Sequence, residues 1–259
     1  MGIIVSIHSF RGGTGKSNTT ANLAAQTALA GKRVGVVDTD IQSPGIHVLF
    51  GLNEANMGHT LNEFLRGECS IEDVAFSIGD NPGDAEGRQK LAGKDIWLIP
   101  SSIESAEISK ILKDSYDPNV LNEGLQTLIK KMELEYLFID THPGLNEETL
   151  LSIAISDILI ILLRPDQQDF QGTAVTVDIA RLLDVPTLYL LMNKALTKLD
   201  FDYLKTQMED AYDSTVVGVM PLSEDLVELG SADIFSLYLP DHPWSKIIVQ
   251  VAKVIMETK

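Results

Sequence analysis

The stretch that decides the fold is "IIVSIHSFRGGTGKSN", which occupies residues 3–18. An apolar run of strand length, Ile3–His8, leads directly into a segment with glycines at positions 12, 13 and 15. Glycines this close together disfavour helix and strand, because they lose the most backbone freedom on folding. Their position behind a strand indicates a ligand that the backbone itself must approach.

The spacing in this segment is that of a phosphate-binding loop. Part of the pattern G-x-x-x-x-G-K-[ST] is matched by Gly12, Gly15, Lys16 and Ser17. Phe10 stands where the pattern has its first glycine. In such a loop backbone N–H groups surround an anion, the lysine supplies charge for the phosphates, and the serine can ligate Mg²⁺. Residues 18–31 predict a helix whose N-terminal partial charge favours the same phosphates. A tight turn without a ligand is the alternative.

Length and composition favour a globular α/β protein. The 259 residues suit one large domain or two small ones, and we expect a single domain over residues 1–259. No run of 18 apolar residues predicts a membrane span. The chain enters a strand at once, without a basic region, apolar stretch and cleavage site, so we expect a cytoplasmic location.

Charge and cysteine content exclude several kinds of site. The 37 Asp and Glu outnumber the 20 Lys and Arg, and the net charge of −17 opposes broad attraction to DNA or anionic lipid. Only a local basic patch could overcome it. Cys69 is the single cysteine, which excludes an intrachain disulfide and a cysteine-cage metal site within one chain. The five histidines have no metal-ligand spacing.

Strand and helix patterns alternate along the chain. The predicted strands are Ile3–His8, Arg33–Asp38, Ile96–Pro100, Tyr136–Asp140, Ile158–Leu163, Thr187–Met192 and Val216–Pro221. The predicted helices between them include Glu104–Leu112, Asn119–Met132, Glu147–Ala154, Phe170–Leu183 and Phe201–Tyr212. This alternation predicts a doubly wound, mostly parallel sheet of about seven strands with helices on both faces. The Gly- and charge-rich stretch Gly79–Asp95 predicts a surface loop, whose mobility the sequence leaves open.

Carboxylates follow two of the predicted strands. Asp38 and Asp40 end the second strand, and Asp140 stands at the tip of the fourth, before the turn Pro143-Gly144. Ligands of such sheets sit beyond the carboxyl ends of the strands, and a carboxylate there can hold Mg²⁺, often through water. A helix cap or turn residue is the alternative for either position. The order behind a phosphate loop favours the magnesium interpretation.

Taken together, these motifs resemble those of the ParA/MinD family of P-loop ATPases. "RGGTGKS" (11–17) resembles the family's deviant Walker A motif K-G-G-x-G-K-[ST] except at its first position. "DTDIQSPG" (38–45) resembles switch I, and "DTHPG" (140–144) resembles switch II. "LLMNK" (190–194) and "GVMPLSEDLVELG" (218–230) resemble the adenine-side and C-terminal elements. The resemblance covers about residues 3–255.

The resemblance implies an ATPase that binds Mg·ATP as a homodimer and hydrolyses it slowly until a partner protein stimulates it. The implied nucleotide-binding residues are Arg11, Gly12, Gly13, Thr14, Gly15, Lys16, Ser17, Asn18, Asn193 and Pro221. The implied metal site has Ser17 as a direct ligand, with Asp140 and Asp40 acting through water. The implied catalytic residues are Lys16, Arg11 and Asp38, of which Asp38 positions the attacking water. A structural or solvent role is favoured for His142 in switch II.

Arg11 replaces the lysine that, in the family, crosses the dimer interface to the opposing ATP. It keeps the positive charge, but arginine is a planar fork and lysine a compact ammonium. Either Arg11 reaches across, or another basic residue does so, with Lys194 or Arg164 as candidates. Atypical first positions occur among the McdA-type relatives that position carboxysomes, and "LLRPDQQDFQGT" (162–173) resembles that branch.

Two classes of function follow. The first is a positioning ATPase whose ATP dimer holds nucleoid DNA and is released by a ParB- or McdB-like partner. The second is a metabolic P-loop enzyme, a synthetase or kinase-like transferase. Candidate DNA-binding residues are Lys194, Lys198, Lys205, Lys246 and Lys253.

The C-terminal residues 243–259 predict an amphipathic helix. Its apolar side carries Ile247, Val251, Val254 and Ile255, and its polar side carries Lys246, Gln250, Lys253 and Glu257. We expect the apolar side to cover the sheet in preference to contacting a membrane.

Overall fold

The computed structural model describes residues 2–114 and 116–258, and its centre is one twisted sheet. Its strands are β1 (Ile3–His8), β2 (Val34–Asp38), β3 (Phe76–Ser77), β4 (Ile96–Ile99), β5 (Tyr136–Asp140), β6 (Ile158–Leu163), β7 (Thr187–Ala195) and β8 (Thr215–Pro221). Their order across the sheet is β3-β4-β2-β5-β1-β6-β7-β8. Neighbouring strands are parallel except β3, which pairs antiparallel with β4.

The predicted doubly wound α/β fold is confirmed, and all seven predicted strands are present. Most bounds agree within a residue, but β7 runs to Ala195, three residues beyond its predicted end at Met192. The eighth strand, β3, was not predicted. It has two residues, so it offers no apolar run or alternation from which a strand could be recognised.

Helices cover both faces of the sheet. They are α1 (Lys16–Leu29), α2 (Ile46–Leu49), α3 (Leu61–Leu65), α4 (Ser105–Asp114), α5 (Pro118–Lys131), α6 (Glu147–Ala154), α7 (Gln167–Leu182), α8 (Phe201–Tyr212), α9 (Glu224–Leu229), α10 (Phe235–Tyr238) and α11 (Pro243–Glu257). Alternate residues of β1 face opposite layers, since Val5 and Ile7 pack with α1 and α11 while Ile4 packs with α5. The sheet is therefore buried on both sides, as its continuous apolar strands predict.

Helix α11 packs against the sheet, in agreement with the expectation for its apolar side. Val251 and Ile255 are fully buried, and a Cβ on Gly218 of β8 would lie 2.7 Å from Ile247 Cγ2. The last residue of the predicted helix, Lys259, lies outside the described residues. Within the described residues, no helix has the length and apolarity needed to cross a membrane.

The stretch Gly79–Asp95 is exposed along much of its length but is anchored by a buried arginine. The Arg88 side chain donates hydrogen bonds to the carbonyl oxygens of Leu49 (3.2 Å) and Ala232 (2.7 Å). Asp233, itself buried, accepts the backbone N–H groups of Gly87 and Arg88. Charged side chains are rarely buried without partners, and Arg88 has partners both inside the loop, at Pro82 O (3.2 Å), and in two other segments. The loop therefore ties the end of α2 to the segment between α9 and α10.

Candidate functional site

The candidate site lies where the carboxyl ends of β1, β2 and β5 meet. In the register of the sheet Asp140 stands beside Ile7 of β1 and opposite Asp38 of β2. The glycine-rich loop leaves β1 at the same edge and enters α1. Parallel strands end together, so two carboxylates and the loop come from distant parts of the chain to one place.

The loop between β1 and α1 has the geometry of an anion cradle. Gly13 (φ 76°) and Gly15 (φ 100°) adopt left-handed backbone conformations that favour glycine. Among the described residues, none caps the N-terminus of α1 with a side chain, and its first turn carries no acidic residue. The N-terminal N–H groups and partial positive charge of α1 therefore remain available to an anion. Lys16 lies in the same turn and is 8% exposed.

The Asn193 side chain is hydrogen-bonded to the backbone of this loop. Its Nδ2 donates to the carbonyl oxygen of Thr14 (2.8 Å), and its Oδ1 accepts from Lys194 N (2.9 Å) and Trp244 Nε1 (3.2 Å). A Cβ on Gly15 would lie 2.6 Å from Asn193 Nδ2, so this close contact also requires glycine. Lys194 Nζ donates to Gly13 O at 2.7 Å. The element "NK" thus supports the phosphate loop, and its contact with an adenine base remains a prediction.

Arg11 is held within its own chain in this structure. Its Nη1 donates to Gln168 Oε1 and lies 4.0 Å from Asp169 Oδ1, both at the start of α7. Asp169 is buried and receives three hydrogen bonds from Arg164, one from the backbone N–H at 2.9 Å and two from the guanidinium at 2.9 and 3.1 Å. The Arg11 side chain is 42% exposed. It therefore sits at the surface between the phosphate loop and α7.

Phe10, which replaces the first glycine of the common pattern, packs on α7. A Cβ added to Gly172 would lie 2.1 Å from Phe10 Cδ1, so the ring occupies the space that a side chain would need. The pair Phe10–Gly172 explains why a bulky residue is accepted at a glycine position. Sequence reasoning missed this pairing, because nothing in the chain relates positions 162 residues apart.

Two carboxylates at the strand ends are fully buried. Asp38 accepts the N–H of Asp40 (3.0 Å) on Oδ1 and the N–H of Gly45 (3.2 Å) on Oδ2. Burial and the neighbouring Asp140 raise the pKa of Asp38 well above its usual value. Burial raises the pKa of Asp140 to about 6, while Lys16 and Ser17 act in the opposite direction. Burial also raises the pKa of Asp40. These carboxylates repel one another and would be stabilised by a cation.

The donor set fits a magnesium ion that is held mainly by nucleotide and water. Ser17 and the carboxylates of Asp40 and Asp140 offer hard oxygen ligands. Within the described residues, no three carboxylate, imidazole or thiolate groups converge closely enough to hold a metal by themselves. Mg²⁺ commonly uses one or two protein oxygens and completes its shell with phosphate oxygens and waters.

His142 links the two switch segments. Its Nε2 lies 3.8 Å from Asp40 Oδ1 of switch I, and its Nδ1 donates to the carbonyl oxygen of Pro143 (2.7 Å). The expectation of a structural role fits these contacts, but the link to Asp40 could not be foreseen from sequence.

His8, at the end of β1, is a further residue of the site that sequence reasoning did not single out. It is fully buried, and its Nδ1 lies 2.9 Å from Thr141 Oγ1 of switch II. Burial, together with the charge of Lys16, lowers the pKa of His8 to about 3. The imidazole is therefore neutral at physiological pH.

Comparison with known proteins agrees with this geometry. Residues 2–196 match the model of a family described as AAA domain. An uncharacterised ATP-binding protein of Methanocaldococcus jannaschii is 26% identical over 264 residues, which span 100% of this chain and 89% of that protein.

Two solved structures share the fold at lower identity. The cell division ATPase MinD of Pyrococcus furiosus superposes with a TM-score of 0.81 at 22% identity, covering 99% of each chain. The ATP complex of a Cyanothece McdA variant superposes with a TM-score of 0.77 at 17% identity, covering 100% of this chain and 97% of that one. These two structures confirm the fold. The domain matched over residues 2–196, with the motifs of the loop and both switches, shows that the chain belongs to the ParA/MinD family of P-loop ATPases.

Proposed function

We propose that this protein is a ParA/MinD-type ATPase that binds Mg·ATP, dimerises around two nucleotides and positions or partitions a cellular cargo. The observation that carries the proposal is the uncapped N-terminus of α1 with Lys16, facing the buried carboxylates Asp38 and Asp140. One side of this site suits phosphates and the other suits a cation. The comparisons do not favour the alternative of a metabolic P-loop enzyme.

Binding of the triphosphate rests on the loop. The N–H groups of α1 and of the glycine turn donate to the phosphate oxygens, and Lys16 neutralises the β- and γ-phosphates. Ser17 would ligate Mg²⁺ directly, with Asp140 and Asp40 holding its waters. When bound, the ion neutralises charge that develops on the phosphates during transfer. Positioning and electrostatics carry most of the catalysis in phosphoryl transfer.

Asp38 is the group that we assign to orient the attacking water. Its two oxygens are fixed by N–H groups of Asp40 and Gly45, so the carboxylate has one orientation in switch I. Burial and the neighbouring Asp140 raise the pKa of this carboxyl. Added positive charge lowers such a pKa, which would leave Asp38 ionised and able to accept a hydrogen bond from water.

Arg11 is the best of the three candidates for the contact across the dimer. The Lys194 ammonium donates to Gly13 O of the phosphate loop in the same chain, and the Arg164 guanidinium donates two hydrogen bonds to buried Asp169. The Arg11 side chain is partly exposed and, within the described part of the chain, makes one hydrogen bond, to Gln168, and one long ion pair, with Asp169 at 4.0 Å. Breaking one exposed hydrogen bond costs about 0.5–1.5 kcal/mol, which a contact with a triphosphate can offset.

Nucleoid DNA is the proposed surface for the ATP dimer. Lys198, Lys246 and Lys253 are exposed and, among the described residues, form no salt bridge, whereas Lys205 lies 4.0 Å from Glu209. Lys194 is engaged with the phosphate loop. Pairing two subunits doubles a weak basic patch, which is how an acidic protein could bind DNA only with ATP. The proposal includes a single domain over residues 1–259, a cytoplasmic location and a ParB- or McdB-like stimulating partner.

The test is ATP-dependent retention on DNA. Immobilised non-specific duplex is loaded with the protein and ATP, ADP or no nucleotide, at low and moderate salt. We expect retention with ATP alone and steep loss with salt. Absence of ATP-dependent retention at low salt would contradict the nucleoid part of the proposal, and absence of ATP turnover would contradict the ATPase part.

A further inference from the structure

The hydrogen bonds around His8 determine which ring nitrogen carries its proton. The Thr141 hydroxyl donates to Ile7 O at 3.0 Å and also lies 2.9 Å from His8 Nδ1. A hydroxyl has one hydrogen, and we assign it to Ile7 O, because a carbonyl oxygen can only accept a hydrogen bond. His8 must then donate from Nδ1, and its Nε2 carries the lone pair. The low pKa of His8 agrees with this neutral form.

Thr141 connects His8 to the proposed metal-binding carboxylate. It directly follows Asp140, whose carbonyl oxygen accepts hydrogen bonds from both N and Oγ1 of Thr39, each at 3.0 Å. The backbone of residues 140–141 is thus held between the ends of β1 and β2. His8, at the end of β1, contacts Thr141 through its side chain, with Nδ1 2.9 Å from Thr141 Oγ1.

We propose that His8 is a positioning residue for switch II, whose Nδ1–H holds Thr141 so that the Asp140 carboxylate faces the phosphate loop. The inference rests on the proposed ATPase function and deepens it. His8 acts through Thr141 and needs no contact with nucleotide. No motif in the sequence marks it, since it belongs to the strand before the loop.

The Nε2 atom of His8, which has no hydrogen-bond partner among the described residues, argues against a purely stabilising role for this side chain. This atom is also buried. An unsatisfied buried polar atom destabilises the folded state, a penalty that an apolar ring of similar size would not have. Thr141 would keep its bond to Ile7 O without His8. Replacing His8 with phenylalanine should therefore leave the fold intact while removing one constraint on switch II.

The tautomer can be measured directly. Two-bond ¹H–¹⁵N correlation spectra of the full-length, nucleotide-free protein should show His8 protonated at Nδ1 alone between pH 6 and 8. A His8 signal protonated at Nε2, or averaged between the two nitrogens, would overturn the inference. The spectrum of His8→Asn identifies the signal.

Function is tested with two His8 variants and a matched control. We expect His8→Phe to lower ATP turnover about tenfold and to weaken the Mg²⁺-dependent part of ADP affinity by a similar factor, the range found for groups that orient metal ligands. ADP affinity without Mg²⁺ and the melting temperature should stay at the parent values. His8→Asn keeps an N–H donor near the position of Nδ1 and should restore most of the loss.

Ser6→Ala is the control, because Ser6 lies on the same strand and face and donates from Oγ to Ser152 O at 3.2 Å. It should leave turnover and Mg²⁺ dependence unchanged. In a Thr141→Val background, His8→Phe should have no further effect. Parent-like Mg²⁺ dependence in His8→Phe, or no rescue by His8→Asn, would overturn the proposal. If the parent hydrolyses no ATP, the ATPase proposal fails, while the Mg·ADP titrations still decide the role of His8.

Discussion

Asp38 and Asp140 stand opposite each other in the register of β2 and β5, and both are buried beside the phosphate loop. Burial raises the pKa of both carboxyls, and the charge of Asp140 raises the pKa of Asp38 further. The arrangement is unfavourable without a cation and favourable with one. Nucleotide and metal binding should therefore act on Asp38 and Asp140, and through them on the free energy of unfolding, on its pH dependence and on ATP turnover.

The pH dependence of stability tests this relationship. The folded pKa of Asp140, about 6, lies above the unfolded value near 3.8, so the folded state binds more protons between these values. Stability should then fall as pH rises from about 4 to above 6, by about 3 kcal/mol for this group. Thermal melts of the nucleotide-free protein against Asp140→Asn should show the variant gaining stability relative to the parent as pH increases. An equal pH slope in both proteins would contradict the assignment.

Asp38→Ala should bind ATP and remain trapped as the ATP dimer. Loss of the group that orients water is expected to slow turnover roughly 100-fold or more, with ATP affinity within a few-fold of the parent. Turnover assays and gel filtration with ATP measure both effects. Asp178→Ala, at an exposed position of α7, is the control and should behave as the parent. Normal turnover in Asp38→Ala would exclude the assigned role.

Lys16→Ala should abolish ATP binding, because the triphosphate would then face the cradle without a neutralising side chain. Isothermal titration calorimetry of the variant against the parent and the exposed-site control Lys253→Ala measures the change. ATP affinity within a few-fold of the parent would show that the backbone cradle alone suffices.

The contact between Arg11 and Gln168 offers a paired test of the dimer contact. Arg11→Ala should weaken dimerisation with a non-hydrolysable ATP analogue about tenfold, while nucleotide binding to the monomer changes little. Gln168→Ala releases Arg11 from its partner in the same chain and should leave the dimer as strong or strengthen it. Sedimentation equilibrium distinguishes these outcomes. An unchanged dimer in Arg11→Ala would move the role to Arg164 or Lys194.

Gly172→Ala tests the packing of Phe10. The new methyl would lie 2.1 Å from the Phe10 ring, and forcing extra volume into packed structure costs about 1–3 kcal/mol. The double variant Phe10→Gly, Gly172→Ala should lose less stability than the two single variants together, because it removes the ring that collides. Denaturant unfolding of the single and double variants gives both values. Additive losses would show that the two residues do not interact.

Sequence reasoning reached the sheet and the loop because their signals are local. A buried parallel strand is a continuous apolar run, and a phosphate loop must be glycine-rich whatever surrounds it. The contacts of Asn193 with Thr14 and of Arg88 with Leu49 could not be foreseen, because each joins distant segments through one side chain. The charge- and glycine-rich composition around Arg88 predicted exposure, which holds for Glu86, Gln89 and Lys90 but not for Gly87 or for Arg88 itself.

The hydrogen bond from Trp244 to Asn193 gives the molecule a built-in optical reporter. The indole is 1% exposed, meets Phe235 edge-on with ring centroids 5.5 Å apart, and is separated from the Thr14 carbonyl by the Asn193 amide. The other tryptophan, Trp97, lies in β4 under the Arg33 guanidinium and can be replaced by phenylalanine without touching this path. A shift of the phosphate loop on nucleotide binding should therefore change the environment of Trp244 at the start of α11. In a Trp97→Phe variant, nucleotide binding can then be followed by intrinsic tryptophan fluorescence without an attached dye.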